Sequence, residues 1–213
     1  MREITNSMLA ELRETVRLKM SEARFAHTLA VENMTARLCA LFCPAEEKPM
    51  RAAALLHDLT KELSGDKQLV LCDTLGLAVS ETDRFSPKTF HARTAAAMIE
   101  RDFEEYDCPT IVNAVRWHTT GRAEMTITEQ VLYLADYIDD SRTFESCVAL
   151  RKTFWDANPE EMDEETRLAH LYRVLLQSFD MTIADLVEAG KIIATDTLRA
   201  RNALLLKLKK MAF

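Results

Sequence analysis

The sequence predicts an all-α fold, and three observations predict it. Turn-formers are scarce, with only 4 Gly and 5 Pro in 213 residues. Strong helix formers (Ala, Leu, Met, Glu and Arg) fill the segments between them. Apolar residues recur at helical spacing, and caps and stops can be read between one run and the next. A hydrophobic content of 48% is enough to bury a sizeable core. The expected organisation is a single domain over 1–213. Its chemistry-bearing core spans about 21–142, and C-terminal helices follow over about 143–213.

The first clear helix runs from Ser21 to Phe42, where His27, Val31, Met34, Leu38 and Leu41 fall on one stripe. His27 therefore faces the core, and Arg24 lies three residues before it on the same face. A second helix is expected to start near Pro49, a residue suited to the first helical position. It continues through RAAALLHDLTKEL, with Met50, Ala54, His57 and Lys61 sharing a face. A short helix over Lys67 to Leu75 is closed by Gly76. Ser86-Pro87 reads as a cap followed by Pro at the first helical position, opening a helix with His91, Thr94, Ala95 and Met98 on one side. Pro109 opens another, with Ile111, Val115 and His118 aligned, and Gly121 ends it.

Thr126 and Glu129 form a capping-box pattern. The helix that follows, QVLYLADYIDD, is apolar almost all round and so is buried. The Asp136 carboxylate inside it needs a partner, because an unpaired buried charge is costly. The C-terminal third reads as two or three more helices. One runs from about Asp163 towards Gly190, and another starts near a cap at Asp196 and ends in KLKKMAF. The acidic run Glu160 to Glu165 and the Lys207, Lys209, Lys210 group match helix N- and C-terminal dipoles.

A net charge of -7 and a pI near 5.3 speak against nucleic acid or a membrane surface as the main partner. No apolar run is long enough to span a bilayer. The stretch MREITNSMLAELRETV lacks the apolar segment of a signal peptide, so the expected compartment is the cytoplasm. The five cysteines, Cys39, Cys43, Cys72, Cys108 and Cys147, form no C-x-x-C pair and are expected to be free thiols used as small apolar residues.

The chemistry is carried by His27, His57-Asp58, His91, His118 and Asp136, a series that uses four of only five histidines. A lone histidine on an apolar face is usually a hydrogen-bonded core residue. Four histidines and two aspartates together on core-facing helical positions are hard to satisfy separately without a metal. All the donors are nitrogen or oxygen, which suits iron, manganese or zinc and argues against a structural zinc site built on cysteine. Six ligands exceed what one catalytic metal with an open position needs, and they divide between two metals with Asp58 as the bridge. His170 lies outside the series, on an amphipathic helix, and reads as structural or surface.

The order H…HD…H…H…D resembles the HD-domain metal-dependent phosphohydrolases. The stretches LLHDLTK (Leu55 to Lys61) and WHTTGRAEMTITEQVLYLADYIDDSR (Trp117 to Arg142) are similar to the YqeK family of bacterial symmetrical diadenosine tetraphosphate hydrolases, as is the tail ATDTLRARNALL. The chain departs from that family's pattern at Thr94, where a glycine is usual near His91, and at Asp139-Asp140, where Glu-Pro is usual.

The resemblance implies an HD-domain helical bundle holding two metal ions, expected to be iron with manganese or zinc as alternatives. One metal would take His27, His57, Asp58 and Asp136, and the other Asp58, His91 and His118. It implies symmetrical cleavage of dinucleoside tetraphosphates into two nucleoside diphosphates by a metal-activated hydroxide. Two divalent metals outweigh two carboxylates and one hydroxide, so the site stays positive and suits a phosphate substrate. Asp58, Lys61 and Arg142 are the expected catalytic residues. Arg24, Lys61, Thr119, Thr120, Arg122 and Arg142 are expected to bind the polyphosphate. Trp117, Tyr133 and Tyr137 are candidates to stack on a base, with core packing as the plainer reading. The ligand series alone leaves open another HD nucleotide phosphohydrolase, an HD-fold diiron oxygenase or a nucleotide sensor. A homodimer is compatible with the sequence.

Overall fold

The computed structural model describes residues 3–211. Among these it contains helices and no strand. The helices are α1 (Asn6–Arg17), α2 (Glu22–Phe42), α3 (Glu47–Leu56), α4 (Gly65–Thr74), α5 (Glu81–Arg84), α6 (Phe90–Asp102), α7 (Pro109–Trp117), α8 (Ile127–Ile138), α9 (Glu145–Trp155), α10 (Glu164–Glu188) and α11 (Thr195–Met211). Short 3-10 turns lie at Pro44–Glu46, Pro87–Thr89, Glu104–Tyr106 and Pro159–Glu161. Met1 and Arg2 of the N-terminal stretch and Ala212 and Phe213 of the KLKKMAF tail lie outside the described residues.

Helix α2 is the central element and packs against α3 and α8; α7 in turn packs against α3, α6 and α8. Val31, Met34 and Leu38 of α2 are fully buried, as are Ala52, Ala53 and Ala54 of α3. Three consecutive alanines keep α3 slim on several faces, where it packs against α2, α7 and α1, while keeping helix propensity high. The buried Glu32 on α2 is held by Arg13 Nε at 2.8 Å and Arg51 Nε at 3.0 Å, so α1 and α3 are pinned to α2 by charge as well as by packing. Leaving that carboxylate unpaired would cost about 3–5 kcal/mol. The C-terminal helices continue the bundle, with α10 packed on α11, α9 and α8.

Several boundaries differ from the sequence expectation. Helix α3 begins at Glu47, two residues before Pro49, because a 3-10 turn from Pro44 leads into it. It stops at Leu56 and does not run on through Leu63; His57 to Glu62 form successive turns. Ser86 makes no side-chain cap. Its place is taken by the 3-10 turn Pro87–Thr89, and the α-helix starts only at Phe90. Asp196 lies inside the first turn of α11 and does not precede it. Other signals match: Ser21 and Asp163, where helices were expected to start, cap α2 and α10, and Thr126 and Glu129 form a complete capping box on α8. Helix α4 starts two residues before the expected Lys67, capped by Ser64. All five cysteines are buried and free. His170 is structural, with Nε2 3.0 Å from the Phe154 carbonyl and its ring stacked on Phe154.

Candidate metal centre

Five helices bring one end each to a common point. His27 comes from the second turn of α2, His57 and Asp58 from the exit of α3, His91 from the start of α6, His118 from the exit of α7 and Asp136 from the last turns of α8. All six candidate ligands are therefore together. His57 is fully buried, and Asp58, His91 and His118 are each 2% exposed.

Helix ends aim the rings. The last carbonyls of a helix have no intrahelical partner. His57 and His118 each follow such an end, and their Nδ1 atoms take the carbonyls three residues back, Ala54 at 2.6 Å and Val115 at 2.7 Å. His91 does the same with the Lys88 carbonyl of the preceding 3-10 turn at 2.8 Å. A ring that donates from Nδ1 to a carbonyl carries its lone pair on Nε2, the tautomer required of a metal ligand. His27 sits within a continuous helix whose carbonyls are already used. Its Nδ1 instead faces Ser141 Oγ at 3.2 Å and Asp139 Oδ2 at 3.4 Å.

Asp58 divides the cluster. Its Oδ2 lies 3.4 Å from His57 Nε2 and 3.8 Å from His27 Nε2. Its Oδ1 lies 3.4 Å from His91 Nε2 and 3.8 Å from His118 Nε2. Asp136 Oδ1 closes the first half, 3.0 Å from His27 Nε2 and 3.9 Å from His57 Nε2.

These atoms fit metal ions. His27 Nε2, His57 Nε2 and Asp58 Oδ1 are buried and have no hydrogen-bond partner among the described residues. His91 Nε2 and His118 Nε2 face each other at 3.0 Å, although both Nδ1 atoms are committed as donors, so two lone pairs point at one space. A cation between them satisfies both lone pairs at once. Donor atoms of His27, His57 and Asp136, and of His57, Asp58 and His118, each cluster tightly enough to hold an ion. The set contains no sulfur.

The electrostatics favour ligation at His91 and His118, while His27 must give up a proton to ligate. Burial drives the His118 pKa down to about 4, with His57 adding to the effect, and burial drives His91 well below the usual range. Both rings are neutral and ready to ligate at neutral pH. Burial also works against the charge of His27, but Asp136 and Asp139 outweigh it and hold the pKa at about 9. Burial would raise Asp58 and Asp136; His57 for the first, and His27 with Arg142 for the second, hold both well below the ordinary carboxylate range.

The cationic residues separate. Arg24 Nη1 donates to Asp58 Oδ2 at 2.8 Å, and Arg142 Nη2 to Asp136 Oδ1 at 2.6 Å. Lys61 Nζ lies 3.1 Å from His91 Nε2, and Thr119 Oγ1 lies 3.1 Å from the same atom. Arg122 forks onto the buried Glu129 at 2.9 and 2.7 Å. That pairing braces the capping box of α8, and Arg122 lines none of the cavities beside the cluster. Thr120 Oγ1 bonds the Gly121 carbonyl and lines an adjoining cavity. Tyr133 stacks on Phe179 in the core, at 4.5 Å between ring centres.

Two residues important to this geometry were not among the site residues expected from sequence. Asp139 is fully buried behind His27, and Arg142 Nε lies 3.3 Å from its Oδ2. Lys88 supplies the carbonyl that aims His91 and lines two cavities. Thr94, at the position where the resemblance leads one to expect glycine, is buried beneath His91 in a network with Thr60 (2.8 Å) and Gln68 (2.9 Å). That network ties the exit of α3 to α6, because the Thr60 hydroxyl also donates to the His91 carbonyl at 3.1 Å.

The family model described as HD domain matches residues 24–140, more than half of the chain. The chain is 29% identical over 191 residues to the symmetrical bis(5'-nucleosyl)-tetraphosphatase of Bacillus subtilis, covering 88% of this chain and 92% of that protein. It is 26% identical over 198 residues to the protein of the same name from Halalkalibacterium halodurans, covering 92% and 96%. Its fold is similar to a crystal structure from Clostridium acetobutylicum described as a "predicted HD superfamily hydrolase involved in NAD metabolism". That likeness has a TM-score of 0.80 at 28% identity and covers 93% of this chain and 97% of that one.

Proposed function

Because this chain belongs to the HD-domain family, we propose that it is a metal-dependent phosphohydrolase that cleaves dinucleoside tetraphosphates, diadenosine tetraphosphate above all, symmetrically into two nucleoside diphosphates. The observation that carries the reading is the division of Asp58, whose two oxygens face two separate pairs of histidines. A carboxylate so placed could offer one oxygen to each of two ions. His27, His57, Asp58 and Asp136 would hold one, and Asp58, His91 and His118 the other. Iron is the preferred assignment, with manganese and zinc as alternatives. Bound divalent metals would supply Lewis-acid polarisation of a phosphoryl oxygen and a water acidic enough to attack at neutral pH.

The chain's own residues supply the rest. Two polar cavities flank the cluster and share Arg24. One, about 320 Å³, is also lined by His27, Ser141 and Arg142. The other, about 370 Å³, is also lined by Lys61, Lys88 and His91. A polyphosphate laid across the cluster meets a cation on each side. Arg24 and Arg142 keep the Asp58 and Asp136 carboxylates oriented while presenting charge to the phosphates. Lys61, beside His91, is placed to stabilise negative charge developing on the departing diphosphate. The Thr119 hydroxyl adds a hydrogen-bond donor at the same edge. The symmetrical position of cleavage is supported by the named activity of the relatives.

The test is a product analysis. Diadenosine tetraphosphate is incubated with protein reconstituted separately with iron and with manganese, and the nucleotides are resolved by chromatography. ADP as the sole early product is expected. ATP with AMP would overturn symmetrical cleavage, and no turnover at full metal occupancy would overturn the hydrolase reading.

A further inference from the structure

We propose that a mainly apolar pocket between the α5–α6 segment and the α10–α11 turn binds one nucleobase of the substrate, with Phe85 as its stacking platform. The inference rests on the reading of the neighbouring centre as a dinucleoside tetraphosphate hydrolase, and it adds where the nucleoside goes. The pocket encloses about 360 Å³ and is lined by Phe85, Pro87, Thr119, Leu186, Ile192 and Thr197, among others. That volume is at the small end of ligand sites, about 300–1,000 Å³, and suits one nucleoside and not two.

Its position links it to the chemistry. Thr119 lines it and also stands 3.1 Å from His91 Nε2. Pro87 and Lys88 line both this pocket and the polar cavity that holds Lys61 and His91. The two cavities are therefore neighbours, so a nucleotide with its phosphates along Lys88 and Lys61 would have its base within reach of the apolar pocket.

Phe85 is 68% exposed, an unusual position for a phenylalanine. It is not on a loose loop. The capping box of Ser80 and Asp83 fixes the turn before it, and Arg93 of α6 holds that turn through Asp83 at 3.3 Å and through the Ala78 carbonyl. The same α6 carries His91, so the platform and the ligand are braced by one helix. The other wall is equally fixed. Gly190, at φ +61, closes α10, with Lys191 N–H bonded to the Leu186 carbonyl at 2.8 Å and Gly190 N–H to the Val187 carbonyl at 3.0 Å. Ser86 Oγ reaches the Ile192 carbonyl at 3.4 Å and joins the two walls. The Thr197 hydroxyl offers a hydrogen bond to a base edge within an otherwise apolar lining, and the Thr120 oxygen, whose proton goes to the Gly121 carbonyl, can accept one. The C-terminal helices thereby become part of the substrate site.

The test measures binding of ADP and of inorganic pyrophosphate to the metal-loaded protein by calorimetry. Phe85→Ala is expected to weaken ADP about ten-fold or more, the loss expected for one base–aromatic stack, and to leave pyrophosphate unchanged. Phe85→Tyr should retain wild-type ADP affinity, and Ile192→Asp, on the other wall, should behave like Phe85→Ala. Unchanged ADP affinity in both Phe85→Ala and Ile192→Asp would overturn the pocket assignment while leaving the hydrolase reading in place. An equal loss of ADP and pyrophosphate would overturn it too, because the effect would then be on the phosphate site. Wild-type protein that binds neither would overturn the hydrolase reading and the pocket with it.

Discussion

Asp139 stands directly behind His27. Its Oδ2 lies 3.4 Å from His27 Nδ1, while Asp136 Oδ1 lies 3.0 Å from Nε2 at the other edge of the ring. Burial would raise the Asp139 pKa, but His27 and Ser141 hold it below the ordinary range, so it stays ionised. A carboxylate behind a ligating imidazole fixes the ring and increases its basicity. Asp139→Asn is expected to weaken metal binding about 10- to 100-fold with little change in helical content. Metal titration of the two proteins checks this, and equal affinities would remove Asp139 from the centre.

Lys61 is adjacent to the cluster but is not one of its ligands. Lys61→Ala should keep the wild-type metal content and slow turnover by about 10²-fold or more, the scale set by removing one preorganised charge donor. Steady-state kinetics on metal-analysed protein decides it. An unchanged rate would exclude Lys61 from the reaction.

Arg142 forks onto one residue, with Nε 2.9 Å from the Asp136 carbonyl and Nη2 2.6 Å from its carboxylate. Lysine keeps the charge but cannot reproduce the fork. Arg142→Lys is therefore expected to lower kcat/KM by about ten-fold or more, with partial loss of the metal held by Asp136. Wild-type kcat/KM and metal content in that variant would show that charge alone suffices.

Two glycines share a left-handed conformation and differ in surroundings. A Cβ on Gly121, at φ +63, would come within 2.7 Å of Phe179 Cζ and 2.9 Å of Ala200 Cβ, whereas a Cβ on Gly76, at φ +66, meets nothing within 4 Å. Gly76→Ala should cost about 1 kcal/mol of strain. Gly121→Ala adds overpacking against α10 and α11, for a total of about 2–4 kcal/mol. Thermal or denaturant unfolding separates the two, and equal losses would contradict the packing argument. Gly121 closes the HTTG stretch, so the C-terminal helices help hold His118 and Thr119 in place.

The sequence made the cluster legible because its ligands are chemically rare. The adjacent His57-Asp58 pair and the single carboxylate in an apolar helix stand out against any background. The helix stripe through His27 and the capping box at Thr126 place them correctly. What could not be read depends on helix ends and on tertiary charge. No glycine or proline marks the stop of α3 at Leu56; the turns that follow are stabilised by His57 capping Ala54 and by Thr60 bonding across to α6. Helix α1 is carried by buried Leu9, Leu12 and Val16 and by Arg13 on Glu32, a partner 19 residues away. Arg122 resembles a phosphate ligand in sequence, and only the fold reveals Glu129 beside it. Asp139 was visible only as a departure from a pattern, because nothing local says that it turns inward onto His27.

Bridging of two metal ions by Asp58 is tested most directly by electron paramagnetic resonance of the protein loaded with manganese, alongside its metal content. Two manganese ions per chain and a spin-coupled spectrum are expected, both lost in Asp58→Ala together with turnover. One ion per chain, or the six-line signal of isolated manganese in wild-type protein, would contradict bridging.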